Sequence, residues 1–295
     1  MPLGVIVDGV KGGKLIALSN EKPLRLVLIF LLTAMLCIVF PTEWLSDLTN
    51  SFIAPMIIRL IFSSVGVVLM VLLGQKRDFF VSGISWRHLD LFLCAIFIIL
   101  ANAPFIALSL GTASIDTSAS LAVSFVFFHI SVSLFEEIFF RGLIITLLIK
   151  HFKQQKRKHA VLLALIMSSA IFGLVHLFNL AGNPVGAVFM QVGYAFLTGL
   201  LFAVLYLFTK SLWPAIVAHA LFNIAGLIAT RQGLGSGNVW PTHAIIFMIV
   251  AAVLAGVYLT WRTLRFLYGG AQNNEQQEPL ELLQTEQQQE SQSED

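Results

Sequence analysis

The sequence predicts an all-α fold, a polytopic transmembrane helix bundle of about eight spans with both termini in the cytoplasm. Composition is the first of three observations behind this prediction. Of the 295 residues, 57% are hydrophobic and only 12% are charged, and the mean hydropathy is +0.86. A soluble domain is roughly 25% charged, so the chain has about half the charge needed to cover a surface in water. This excludes a typical soluble enzyme, a disordered protein and a nucleic-acid binder.

The second observation is a series of apolar runs. A hydrocarbon core of ~30 Å requires about 20 apolar residues per helix. Eight candidate spans cover roughly 26–41, 53–74, 89–110, 119–149, 160–179, 185–209, 211–230 and 243–261. The fourth run is too long for a perpendicular span, so we expect this helix to tilt or to extend beyond the lipid.

The third observation is the distribution of charge along the chain. Residues 271–295 hold seven of the 16 acids and no Lys or Arg, so residues 1–270 carry 18 cations against nine acids, a net charge of +9. Of the 18 cations, fifteen fall in the two terminal segments and in every second connection, which all lie on one side of the membrane if there are eight spans. One cation falls in the remaining connections, and Arg59 and Arg141 lie in spans. Cytoplasmic loops are rich in Lys and Arg. We therefore divide the chain into a cytoplasmic segment (1–25), a transmembrane domain (26–268) and a disordered, acidic, Gln/Glu-rich cytoplasmic tail (269–295).

Two acids lie where a bilayer disfavours them. Glu136 and Glu137 are adjacent inside the fourth span, where each ionised side chain costs about 2.5–3.5 kcal/mol on insertion scales. Arg141 lies four residues after Glu137, so the two can pair on one helix face. This pair could also be a purely structural ion pair. Glu136 is rotated by about 100° from Glu137, so its charge has to be met by another helix or by water.

Three histidines also lie inside spans. His129 is in the fourth span, His176 in the fifth and His219 in the seventh, with Asn223 four residues after His219 on the same face. A single intramembrane His often serves only as a hydrogen bond between helices. Because polar side chains facing lipid are costly, we expect this set to face one shared interior.

Three motifs resemble those of a known family. Glu136-Glu137-Ile-Phe-Phe-Arg141, Phe172-Gly-Leu-Val-His176 and His219-Ala-Leu-Phe-Asn223 are similar to the Glu-Glu-x-x-x-Arg, Phe-x-x-x-His and His-x-x-x-Asn motifs of the CPBP family (Abi, or type II CAAX prenyl endopeptidases). The resemblance covers about residues 118–230, the expected protease core. It implies an eight-helix, glutamate-dependent intramembrane endopeptidase with a cavity reachable from the cytoplasm and the membrane.

The resemblance also implies roles for single residues. Glu136 is expected to activate water with His176 as its partner, and His219 and Asn223 to stabilise the oxyanion. Glu137 and Arg141 are the expected orienting ion pair. We expect His129 and Phe172 to line the cavity.

Alternatives remain open at this point. We expect no cofactor, but Glu136, His176 and His219 could instead bind Zn²⁺. A transporter or immunity protein without enzymatic activity, using Glu136 and Glu137 as a proton or ion-pair site, is a further alternative. The expected partners are the lipid bilayer and a membrane-associated protein or peptide substrate, in a bacterial inner (cytoplasmic) membrane.

One feature disagrees with cytoplasmic access. His176 lies 18 residues after Lys158, the last cation of a connection expected in the cytoplasm. In a straight helix, that separation is ~27 Å, beyond the middle of the bilayer. Either the first turns of this helix lie outside the hydrocarbon or the catalytic cavity is deep.

Overall fold

A computed structural model describes residues 23–39, 51–75, 88–156, 159–230, 233–237 and 245–265. The predicted disordered tail and nearly all of the predicted N-terminal segment lie outside these ranges. Helices dominate the described part, which confirms the all-α class. They are α1 (Pro23–Val39), α2 (Ile53–Leu72), α3 (Leu89–Asn102), α4 (Phe105–Ser109), α5 (Ala119–Glu137), α6 (Ile145–Gln154), α7 (Ala160–Val175), α8 (Val185–Thr209), α9 (Trp213–Leu227) and α10 (Ile245–Arg265).

Five helical segments are long and apolar enough to cross a membrane. They are α2, α3 with α4, α7 with its 3₁₀ extension, α8 and α10, while α1 and α9 are shorter apolar helices. Many outward-facing side chains are large and apolar, such as Leu28, Phe189 and Val257. Such a surface fits lipid rather than water. The chain is therefore an integral membrane protein, whereas the count of eight spans and the cytoplasmic placement of the termini remain predictions.

The fourth predicted span is one continuous helical run, but it is not uniform. Helix α5 ends at Glu137, a π-helical segment covers Ile138–Ile144, and α6 continues to Gln154. A π segment breaks the i→i−4 ladder and leaves carbonyl groups to be satisfied elsewhere. The Ser168 hydroxyl of α7 donates to the Phe140 carbonyl at 3.2 Å, and the Thr146 hydroxyl donates to the Gly142 carbonyl. The irregularity begins directly after the two acids.

The third predicted span is interrupted near its end. Helix α3 stops at Asn102 because Ala103, which precedes Pro104, is extended with φ −74° and ψ 143°. A residue before proline is pushed away from the α region. The Asn102 amide nitrogen donates to the carbonyl of Phe222 at 2.8 Å and so ties α3 to α9.

Contacts at the two ends of the bundle fit the predicted alternation of loops. Strand β1 (Ala113–Ile115) pairs antiparallel with β2 (Gly235–Gly237), so the connections before α5 and after α9 meet at one end. Away from this ribbon, Arg262 Nε lies 2.7 Å from Asp90 Oδ2 and joins the end of α10 to the start of α3. In an 18-residue apolar stretch of α8, half of the residues are buried, against 17% in the corresponding stretches of α2 and α10. Helix α8 therefore lies at the centre of the bundle.

Candidate active site

The three motifs meet around one cavity of about 690 Å³ between the helices. Six of the residues singled out in the sequence line it: Glu136, His176, His219, Asn223, His129 and Phe172. The remaining two, Glu137 and Arg141, are fully buried behind the wall. The structure therefore brings all eight residues into one region, as expected from the cost of exposing them to lipid.

The two adjacent glutamates differ in exposure. The Glu136 side chain is 15% exposed and faces the cavity, whereas the Glu137 side chain is 0% exposed. A rotation of about 100° between neighbours in a helix produces this difference. Glu137 Oε1 accepts from Arg141 Nη1 at 2.9 Å and from His219 Nδ1 at 2.7 Å. Glu137 is thus paired, while the Glu136 carboxylate has no hydrogen bond within the described part of the chain.

Arg141 is held on three sides. Its Nη1 donates to Glu137, and its Nη2 donates to the Gly199 carbonyl of α8 at 3.2 Å. Its guanidinium carbon lies 4.3 Å from the centroid of the Phe172 ring, a cation–π contact. A Cβ atom at position 199 would lie 3.3 Å from Nη2 and 3.1 Å from Phe172, so the arginine fits because residue 199 is glycine. The ion pair therefore fixes α5, α7 and α8 relative to one another.

His219 connects the two acids. Because a carboxylate only accepts, Nδ1 must donate its proton to Glu137. Its Nε2 lies 3.5 Å from Glu136 Oε2, which is too long for a strong hydrogen bond. The ring stacks on Phe202 with centroids 4.8 Å apart and an angle of 18°. The imidazole is consequently fixed with Nε2 beside the Glu136 carboxylate.

His176 is oriented by its own helix. Helix α7 ends at Val175, and His176 begins the 3₁₀ turn His176–Ala181. Its Nδ1 lies 2.9 Å from the Phe172 carbonyl, which can only accept, so Nδ1 carries the proton. In the neutral imidazole, Nε2 is then an acceptor at the cavity wall. No hydrogen bond joins His176 directly to Glu136 among the residues described.

Asn223 completes the polar wall. It lies one helical turn after His219 on α9, and both side chains line the cavity. Its amide makes no hydrogen bond to any other described residue. An amide donor is thus available beside Nε2 of His219.

Comparison with known proteins adds one finding to this geometry. Residues 118–225 match the family model for type II CAAX prenyl endopeptidases, Rce1-like. No curated protein and no solved structure matches the chain. The Rce1-like region runs from the residue before α5 into α9 and contains all three motifs. The match implies a protease, and the apolar helices around it imply an intramembrane one.

The Rce1-like region also contains residues that the sequence reasoning missed. Gly199 and Phe202 contact Arg141 and His219, but each is one of many Gly and Phe residues in apolar spans. A glycine within a predicted helix is at most a weak signal of close packing. Nothing in the sequence singles out Phe202, because its stacking on His219 depends on how α8 packs against α9.

The residues proposed for zinc can be tested for fit. No group of three His, Cys, Asp or Glu side chains in the described part of the chain is arranged to hold a metal ion. The Nδ1 atoms of His219 and His176 donate to Glu137 and to a backbone carbonyl, an arrangement that leaves each Nε2 free to bind a metal. Glu136, His176 and His219 therefore have the donor chemistry of a zinc site, but their side chains do not form a three-ligand arrangement in this structure.

The cavity extends towards one end of the bundle. Its lining includes Asn183, just before α8, Thr230, just after α9, and Ile245, the first residue of α10. These positions flank the connections 180–184 and 231–242, which the charge distribution assigns to the non-cytoplasmic side. The cavity is therefore on the side of the bundle away from the Lys-rich connection after α6, as the depth of His176 suggested.

Proposed function

We propose that the chain is an intramembrane, glutamate-dependent endopeptidase of the CPBP (CAAX-protease) type that hydrolyses a peptide bond in a membrane-associated protein or peptide. The observation that carries this proposal is the division between two adjacent acids. Glu137 is buried in a pair with Arg141, and Glu136 faces the cavity that His176, His219 and Asn223 also line. An ion pair that only linked helices would not require a second carboxylate at the cavity surface.

Glu136 acts as the general base. A water held between the Glu136 carboxylate and the acceptor Nε2 of His176 gives a proton to Glu136 as its oxygen attacks the scissile carbonyl carbon. A positioned base of this kind typically contributes 10²–10⁴-fold to the rate. The same proton then passes to the amide nitrogen as the C–N bond breaks. The products are a carboxylate and an amine.

Asn223 and His219 meet the charge that develops on the carbonyl oxygen. The amide of Asn223 donates one hydrogen bond, and in the imidazolium form Nε2 of His219 donates a second. With Nδ1 held by Glu137, donation from Nε2 requires that protonated form. Its charge and that of Arg141 balance those of Glu136 and Glu137, which suits a site shielded from water.

The zinc alternative makes a different prediction for the same residues. A zinc enzyme would lose activity on removal of the metal and regain it on addition of Zn²⁺. Metal analysis of active, chelator-treated protein distinguishes the two mechanisms. Full activity without bound metal supports the metal-free reaction, and its loss with recovery by Zn²⁺ would contradict it.

The direct test is cleavage of an S-prenylated peptide by protein purified in detergent. Glu136→Gln should reduce kcat by at least 10²-fold, and Asn223→Ala should reduce it by about 10²–10³-fold. Asp116→Asn is the matched control, since Asp116 is an exposed acid outside the cavity. Equal activity of Glu136→Gln and wild type would refute the proposal. If Glu136→Gln keeps the biological function of the protein while wild type hydrolyses nothing, the non-enzymatic alternative is favoured.

A further inference from the structure

A second cavity, of about 270 Å³, adjoins the catalytic cavity and has an almost entirely apolar lining. It lies between α10 and the helices α3, α7, α8 and α9, and we call it the α10 groove. Ile166 of α7 and Leu264 of α10 line it and are also exposed on the outer surface of the bundle. The α10 groove therefore opens between α7 and α10 to the surface that faces lipid.

Two of the hydroxyl groups along the α10 groove are already bonded within their own helices. The Thr198 hydroxyl donates to the Tyr194 carbonyl at 3.0 Å, and the Thr260 hydroxyl donates to the Gly256 carbonyl at 2.8 Å. An apolar cavity of roughly 150 Å³ stays dry and takes up apolar molecules such as benzene. In a bilayer, the larger α10 groove therefore holds hydrocarbon rather than water.

The inner end of the α10 groove shares a wall with the catalytic cavity. Tyr194, Thr198, Phe222 and Met248 line both spaces. The rings of Tyr194 and Phe222 have centroids 6.1 Å apart and join α8 to α9 at this wall. A molecule that fills the inner end of the α10 groove therefore contacts the wall of the cavity that holds Glu136.

The outer end of the α10 groove lies at a membrane interface. Helix α10 ends with Trp261 and Arg265, and the guanidinium carbon of Arg265 lies 5.4 Å from the Trp261 ring centroid. Trp and cationic residues at the end of an apolar helix mark the boundary between hydrocarbon and headgroups. Arg265 directly follows Leu264, which lines the groove, and no carboxylate of the described residues lies within 4.0 Å of Arg265. A cation without an acidic partner in the described part of the chain thus stands at this end.

The length of the α10 groove matches one leaflet of the bilayer. Along α8 it extends from Tyr194 to Val204, a distance of about 15 Å along the helix axis. The hydrocarbon core is ~30 Å thick, so each leaflet contributes ~15 Å. The Val204 end is the one near the end of α10, because the guanidinium carbon of Arg262 lies 4.9 Å from the Phe208 ring centroid. An acyl chain that starts at the interface near Arg265 therefore ends at the shared wall.

We propose that the α10 groove binds one acyl chain of an anionic phospholipid, with the phosphate at Arg265 and the chain end at the shared wall. The order of polarity along the groove determines the occupant. A lipid group attached to a substrate near the scissile bond would have its polar end at the catalytic cavity and its hydrocarbon end at Arg265, which is the reverse order. The proposal goes beyond the protease activity, because it concerns lipid binding and does not require hydrolysis.

The test uses the full chain purified in detergent and a phosphatidylglycerol probe with a diazirine at the end of one acyl chain. After irradiation, mass spectrometry identifies the labelled peptides, which should contain Tyr194, Phe222 and Met248. A phosphatidylcholine probe with the same chains should label them about fivefold less, the factor expected for one cation beside an anionic headgroup. Labelling centred on Trp261 and Arg265 would overturn the assigned direction of the chain.

Two variants test the two ends of the site. Arg265→Gln should reduce the preference for phosphatidylglycerol to within about twofold of one. Arg25→Gln is its matched control, since Arg25 is an exposed cation of α1 outside the groove, and it should keep the wild-type preference. Gly256→Leu fills the groove, because Gly256 lines it and a Cβ atom there would meet only Leu197, at 4.0 Å. It should lower the labelling several-fold, whereas Val257→Leu, on the exposed face of α10, should leave it unchanged.

The comparison of the two probes on wild type needs no variant to fold. Equal labelling by both probes, or labelling no stronger than that of the outer face of α2, would show unspecific contact with lipid and overturn the site.

Competition identifies the source of the chain. Unlabelled phosphatidylglycerol should displace the probe, and an S-farnesylated peptide should not. Displacement by the peptide at a lower concentration than by the phospholipid would assign the groove to the substrate and overturn the proposal. Selective labelling by phosphatidylglycerol in a protein that cleaves no peptide would support the lipid site and contradict the endopeptidase, so the two proposals fail separately.

Discussion

Replacing Glu137 with Gln should destabilise the fold, whereas the same change at Glu136 should not. Glu137 is fully buried and accepts hydrogen bonds from Arg141 at 2.9 Å and from His219 at 2.7 Å. Removing one partner of a buried ion pair typically costs 3–5 kcal/mol, because the other charge remains buried and unpaired. Arg141 would keep its bond to the Gly199 carbonyl and its contact with Phe172, so we expect about 3 kcal/mol, the lower end of this range.

Glu136→Gln is the matched control for this prediction. The Glu136 side chain is partly exposed to the cavity and makes no hydrogen bond to another described residue, so the change in unfolding free energy should be below about 1 kcal/mol. The measurement is the free energy of unfolding in mixed detergent micelles for both variants. Activity should be lost in both cases, but with a loss of stability only for Glu137→Gln.

A double variant tests the cause of the destabilisation. Glu137→Gln combined with Arg141→Met removes both charges, and replacing a buried pair by apolar side chains is often neutral. Most of the lost stability should return, giving an interaction energy of roughly 0.5–3 kcal/mol between the two sites in the double-mutant cycle. Activity should not return, since His219 would still lack the carboxylate that orients it. Additive losses in the double variant, or equal stability of Glu137→Gln and Glu136→Gln, would refute the reasoning.

The remaining predictions concern packing and topology. Gly199→Ala should cost about 1–3 kcal/mol by overpacking and should lower activity, since its Cβ would lie 3.3 Å from Arg141 Nη2. Gly193→Ala on the same helix meets nothing within 4 Å and should be neutral or stabilising; equal effects of the two would contradict the role of the glycine. In a background without the two native cysteines, an impermeant maleimide should label Ser236→Cys in intact cells, and Gln155→Cys only after permeabilisation. The reverse pattern would show that the predicted orientation is wrong.

The sequence was most informative where the bilayer restricts the choice of residues. Charged side chains are so unfavourable in a span that Glu136, Glu137 and Arg141 could be singled out by their presence alone, and the spacing of four predicted the ion pair. The apolar runs likewise placed α8 correctly at 185–209. These predictions depend only on local spacing and on the known cost of placing charge in lipid, and both can be judged from one amino-acid sequence.

Features that depend on contacts between helices could not be predicted. The π segment after Glu137 is stabilised in part by Ser168 on another helix, so nothing in Ile138–Ile144 itself indicates it. His219 was expected to stabilise the oxyanion with Asn223, and the hydrogen bond of its Nδ1 to Glu137, across 82 residues of sequence, was not predicted. Its stacking on Phe202 likewise depends on the packing of α8 against α9.

The position of the cavity sets two sequence predictions against each other. The cation-rich connections mark the cytoplasmic face, while the family resemblance implies a cavity reachable from the cytoplasm. The cavity runs from Glu136 towards Asn183 and Thr230, at the end of the bundle away from Lys150 and Lys153. If the cations do mark the cytoplasm, a substrate must enter from the opposite face or sideways from the lipid, and a prenylated cytoplasmic protein is a poor candidate. If the cavity does open to the cytoplasm, the orientation assigned from the cations is wrong. The maleimide labelling of Ser236→Cys distinguishes these two cases, and it therefore also decides on which side of the membrane substrates should be sought.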